Sequence, residues 1–180
     1  MYQHILLAVA LQQWDEFSPH AVAAREAAVA LAHGSGAQLS VLSVYDYDDE
    51  TPSALSLPPE EVTRYRDTQM VRMDERMAAK MQAFLAGVPT RETPITPLLK
   101  VGDPRQLIIG TAEALGVDLL VIGAHSKRSF LDVLLGGTAT AVSRHAACAV
   151  VMVQPGEKPP LVQTSEVGKP LQATLPGQPA

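Results

Sequence analysis

Residues 5–10 read ILLAVA, an unbroken apolar run of the kind found in a strand covered on both faces of a parallel sheet. The period then changes. After a polar loop, Ser18 and Pro19 supply an N-cap and a first-turn proline, and an Ala-rich stretch runs through His33 to Gly34, which predicts a helix closed by that glycine. Residues 38–45, with Leu39, Val41, Leu42 and Val44, predict a second strand, and residues 46–58 an acidic loop containing proline. From Pro59 onward Val62, Met70, Met73, Met77, Met81 and Phe84 lay one apolar stripe along a long helix, stopped by Gly87 and Pro89. The stripe fits packing on a sheet, and it also fits a pliable groove for a partner; amphipathic helices more often face a core.

Residues 95–101 predict a weaker third strand, because Pro94 and Pro97 cannot donate ladder hydrogen bonds, and this suits a sheet edge. Asp103 and Pro104 then open a helix that places Leu107, Ile108, Ala112 and Leu115 inward and closes at Gly116. Residues 118–123 (DLLVIG) are the fourth strand. A long loop leads to a helix from about Gly137 to His145, and residues 149–153 (AVVMV) are the fifth strand. Strands alternating with helices at this spacing predict an α/β fold, an open five-stranded parallel sheet built from βαβ crossovers with helices on both faces. Residues 1–153 form that domain. The remaining residues, 154–180, hold six prolines and three glycines with scarcely any apolar periodicity, and are expected to form a flexible tail.

Composition narrows the function. The chain of 180 residues is one domain's worth. Aromatics are only 4%, which argues against a stacking surface for single strands, and nineteen acids against fourteen bases give a formal net charge of -5, which works against a phosphate backbone as partner. The one cysteine, Cys148, can make no internal disulfide and reads as a small buried apolar residue. No signal peptide or membrane-length apolar run is visible, so a cytoplasmic protein without a membrane or nucleic-acid partner is expected.

In open α/β sheets ligands gather beyond the C-terminal strand ends where strand order reverses. The loops after Ala10 and Gly123 should meet there. The second contains His125, Ser126, Lys127 and Arg128, and reaches Gly136, Gly137 and Thr138 at the opening of a helix. Glycines admit close backbone approach, a helix N-terminus attracts anions, and a threonine hydroxyl can donate to phosphate. A phosphate cradle follows from these residue types. Histidines 4, 20, 33 and 145 lack metal-ligand spacing, and there is no Gly-Xaa-Ser-Xaa-Gly elbow or Walker-type Gly-Lys-Ser/Thr. A non-enzyme that needs neither cofactor nor metal is expected; slow hydrolysis would have to use His125 or Asp132 as base, without a visible metal or orienting partner.

From Gly102-Asp103-Pro104, through residues 118–125 and Gly136-Gly137-Thr138-Ala139, to residues 144–151, the chain resembles the universal stress protein family. The opening strand and Ala-rich helix match as well, so the likeness covers roughly residues 3–154. It implies a sheet of strand order 3-2-1-4-5, like that of the adenine nucleotide alpha hydrolases, a dimer, and in one branch an ATP site marked by G-x2-G-x9-G-[ST]. Gly123 and Gly136 fit that motif. Ser126 replaces its second glycine, Gly137 replaces its hydroxyl residue with Thr138 one step late, and Ala10 stands where an aspartate is usual. The resemblance thus implies a stress-response regulator that binds ATP or AMP weakly, through Ala10, Val44, Gly123, His125, Ser126, Gly136, Gly137 and Thr138. The alternative is a vestigial pocket in a dimeric interaction module whose tail docks an unidentified protein.

The last strand, Ala149, Val150, Val151, Met152 and Val153, carries no lysine, proline or charge. As a sheet edge it invites pairing, and the resemblance likewise implies a homodimer through this strand.

Overall fold

The computed structural model describes residues 1–12, 16–47, 58–86, 88, 93–123, 126–129 and 132–156, with 126–129 and 132–135 described as backbone only. Chain order is β1 (His4–Val9), α1 (Pro19–Ser35), β2 (Gln38–Tyr45), α2 (Pro59–Ala86), β3 (Ile95–Val101), α3 (Pro104–Ala114), β4 (Leu119–Gly123), β5 (Ser126–Ser129), β6 (Asp132–Leu135), α4 (Gly137–His145) and β7 (Ala149–Val153). The main sheet is five-stranded in the order β3-β2-β1-β4-β7, and every pairing in it is parallel. With β7 as the fifth of the expected strands, this is the order 3-2-1-4-5.

Alternation along the central strands explains the unbroken apolar runs. In β1, Ile5, Leu7 and Val9 face a core shared with α1 and α2, while Leu6 and Ala8 face one shared with α3 and α4. Successive residues of a strand point to opposite faces, so a strand covered on both sides must be apolar at every position. β4 repeats the pattern, with Leu119 and Val121 on the first face and Leu120 and Ile122 on the second. Helix α1 buries only alanines, at positions 21, 24, 28 and 32, which keeps its contact face small and flat.

The structure departs from the sequence expectations in four places. The left-handed cap of α1 is Gly36 (φ 68°), not Gly34, because Ser35 continues the last turn by donating its hydroxyl to Leu31 O. Leu115 is 40% exposed, since α3 ends at Ala114 and the helical period no longer governs that side chain. The long loop before α4 contains an antiparallel pair, β5 with β6, joined across two residues, the shortest common hairpin spacing. Of the stripe on α2, Met77, Met81 and Phe84 are buried, whereas Val62, Met70 and Met73 are only partly covered.

The expected stops at Gly87 and Pro89 and most of the acidic loop lie outside the described residues, as does the tail from residue 157. Among the described residues no helix is long and apolar enough to cross a membrane.

Candidate functional site

The chain builds β1, β2 and β3 outward in one direction, then returns to add β4 on the other side of β1. That reversal leaves a crevice above the C-terminal ends of β1 and β4. A cavity of about 700 Å³ occupies it. Ala8 and Val9 of β1 line it with Ala10 just beyond, as do Val44 and Tyr45 of β2 with Asp46 just beyond, and Ile122 and Gly123 of β4.

Three helices begin at this cavity, and they begin differently. At α1 the Ser18 hydroxyl accepts from Ala21 N at 3.2 Å; at α3 the Asp103 carboxylate accepts from Arg105 N at 2.8 Å. These are N-caps that satisfy donors the helix leaves open. At α4 the N-cap is Gly136, with no side-chain hydrogen bond. The first-turn amides of α4 therefore lie at the cavity without a side-chain cap, where the helix dipole favours an anion.

The glycines divide by role. A Cβ on Gly123 would lie 2.9 Å from the carbonyl oxygen of His20, so the start of α1 can sit on β4 only if residue 123 has no side chain. Gly102 has φ 133°, and a Cβ on it would lie 3.2 Å from Leu107 Cδ1. Gly136 and Gly137 differ from both: neither has a positive φ, and a Cβ on either would meet nothing within 4 Å among the described residues. Among the described residues nothing demands glycine at these two positions.

The remaining wall comes from side chains that the sequence reading did not place at the site. Gln12 Nε2 donates to Asp46 O at 2.7 Å, and Asp46 N donates to Gln12 Oε1 at 3.0 Å, tying the loops after β1 and β2 together. Asp103 pairs with Arg105 at 3.4 Å, and His20 lies on the first turn of α1. All follow strand C-terminal ends, so the rule that pointed to the loops after Ala10 and Gly123 extends to those after β2 and β3.

Beside the cavity, Tyr45 and Tyr47 both donate to Asp74 Oδ1, at 2.7 and 2.9 Å, joining β2 to α2. Burial, followed by the Asp74 hydrogen bond, pushes the Tyr45 hydroxyl far above its ordinary range; for Tyr47 the bond to Asp74 is the larger cause of a rise.

Of the residues expected at the site, Ala10, Val44, Gly123, Gly136, Gly137 and Thr138 all line the one cavity. His125 lies outside the described residues, and so do the side chains of Ser126 and Asp132. At the opposite end of the sheet, Asp118 accepts from Gln3 N at 2.6 Å and His4 N at 2.9 Å, which holds its carboxyl below the usual range. Cys148 is half-buried against the second core, and burial raises its thiol.

Comparison with known proteins agrees with this architecture. A universal stress protein of Methanothermobacter thermautotrophicus is 26% identical over 155 residues, 86% of this chain and 97% of its own. The solved universal stress protein UspA from Lactobacillus plantarum is 26% identical, with a TM-score of 0.56 over 84% of this chain and 97% of that one. A universal stress protein solved in complex with cAMP shares the fold at 22% identity and a TM-score of 0.51, covering 86% of this chain and 99% of that one. The model of the universal stress protein family matches residues 1–154, and the chain belongs to that family.

Proposed function

We propose that this protein is a regulatory sensor that binds an adenine nucleotide in the cavity between β1 and β4, without turnover. One observation carries the reading: the N-terminus of α4, without a side-chain cap, opens on a cavity of about 700 Å³ through two glycines that neither backbone geometry nor packing among the described residues requires. Glycine at such positions lets backbone amides approach a ligand, and phosphate is the anion that helix N-termini commonly hold. The apolar wall of Ala8, Val9, Ala10 and Val44 suits a base. A universal stress protein of the same fold has been solved in complex with cAMP, which supports an adenine nucleotide as ligand.

We further propose that the protein is a homodimer through β7. That strand is paired only with β4 among the described residues, and its Met152 is 40% exposed. An unblunted apolar edge favours pairing with a second copy about a two-fold axis.

Calorimetry with ATP, ADP and AMP tests the site. Measurable heat and a raised melting temperature are expected, since saturating ligand must stabilise the native state. Neither heat nor stabilisation at millimolar ligand overturns the reading and favours a vestigial pocket. Phosphate release faster than in buffer would contradict binding without turnover.

A further inference from the structure

The cavity has chemically different walls. The first turn of α4 offers donors to an anion, whereas the end of β2 brings in Asp46. The main chain of Asp46 is gripped on both its N–H and its C=O by the Gln12 amide, at 3.0 and 2.7 Å. Its carboxylate has one described bond: Oδ1 accepts from Tyr47 N at 2.9 Å.

The cavity's other acid is engaged differently. Asp103 accepts from both Arg105 N and Arg105 Nε, so its charge is balanced within its own helix turn. No described cation pairs with Asp46. The wall also holds the apolar side chains of Val9, Ala10 and Val44, while the Gln12 amide is occupied by the Asp46 main chain. The site thus presents one carboxylate, held by Tyr47 N, with capacity to accept further hydrogen bonds and no other described protein donor.

A nucleotide carries its acceptors on the phosphates and a pair of adjacent donors on the ribose. A carboxylate is an acceptor-only group whose two oxygens suit such a pair, and bonds to an ionised acceptor are the stronger kind. Because Gln12 already fixes the backbone that bears it, little ordering remains to be done on binding.

We propose that Asp46 accepts hydrogen bonds from the ribose hydroxyls and makes the cavity selective for ribonucleotides. This rests on the nucleotide reading above and adds a specificity determinant to it.

The test is calorimetric titration of the full chain with ATP, 2′,3′-dideoxy-ATP and ITP, for the unmodified protein, Asp46→Ala and Asp46→Asn. The readout is the ratio of ATP to dideoxy-ATP affinity, because deleting a negative charge changes the attraction of both triphosphates alike. That ratio should be about ten or more in the unmodified protein. It should fall to about one in Asp46→Ala and lie between in Asp46→Asn, whose amide oxygen still accepts. Circular dichroism should show all three folded, as expected for an exposed side chain.

Equal affinity of the unmodified protein for both triphosphates overturns the proposal, as does a ratio that survives Asp46→Ala. A variant that loses its preference for ATP over ITP while keeping that for ribose assigns Asp46 to the base and also overturns it. Failure of the folded unmodified protein to bind ATP at all defeats the nucleotide reading itself, and this inference with it.

Discussion

Gly123 and His20 approach so closely that a Cβ on the glycine would stand 2.9 Å from the histidine's carbonyl oxygen. Backbone cannot yield as a side-chain tip can, so Gly123→Ala must displace the start of α1 or the end of β4. It should cost about 1–3 kcal/mol, the usual scale for overpacking. Gly137→Ala, with nothing among the described residues within 4 Å of the new methyl, should change stability by less than about 1 kcal/mol and yet weaken nucleotide affinity. Urea denaturation and calorimetry on the two variants separate a packing glycine from a ligand-facing one. Equal loss of stability in both would refute the division.

Tyr45 is the residue whose ionisation should mark the strap between β2 and α2. Its hydroxyl titrates above its ordinary value near 10 in the folded state, whereas the unfolded chain ionises it normally. Folding therefore keeps this contribution in full below about pH 10 and loses it as the pH rises beyond. Tyr45→Phe should remove that alkaline loss, and at neutral pH should cost about 1–3 kcal/mol for a bond to a charged acceptor. Denaturation at pH 7 and above 10 for both proteins gives the comparison; parallel curves would show that the Asp74 bond has no such role.

Asp118 behaves with the opposite sign. Its carboxyl is held below the ordinary 3.8 by the amides of Gln3 and His4, so its contribution is present above that value and fades as pH falls through the lower folded value. Asp118→Asn should be less stable than the unmodified protein at pH 7, and the gap should narrow progressively below about pH 4. Melting temperatures measured across that range would detect it, and a gap independent of pH would rule out ionisation as the cause.

For the edge strand, Val151→Lys should convert a dimer to a monomer, because like charges would meet across the axis. Val151 also touches the first core, so this variant carries a folding cost of its own. Met152→Lys, at a 40% exposed position, provides the control. Light scattering should report monomers for both, and dimers that persist in a folded Met152→Lys place the interface elsewhere.

Much of the framework is legible without a structure because its causes are local. The runs in β1 and β4 are apolar at every position, which only a doubly covered strand requires. Ser18-Pro19 and Asp103-Pro104 start helices where such pairs usually do, and the hydrogen bonds to Ala21 N and Arg105 N are the caps they imply. Where local signals failed, a nearby competitor existed. Gly34 and Gly36 were equivalent on composition, and the Ser35 bond to Leu31 decided between them. Residues 126–129 and 132–135 carry charge and no clear alternation, so only pairing with each other reveals β5 and β6.

The site shows the same boundary more sharply. The sequence by itself determined that Ala10 and Gly123 would lie at one crevice, since alternating strands and helices allow few topologies and the reversal of order sets its place. Only the tertiary structure decided which side chains line it: that Gln12 grips Asp46 across 34 positions, and that the backbone of His20 packs against Gly123. Caps and periodicity act over a few residues and leave a trace in the sequence. Contacts between distant loops depend on strand order and register, which no short window of residues contains.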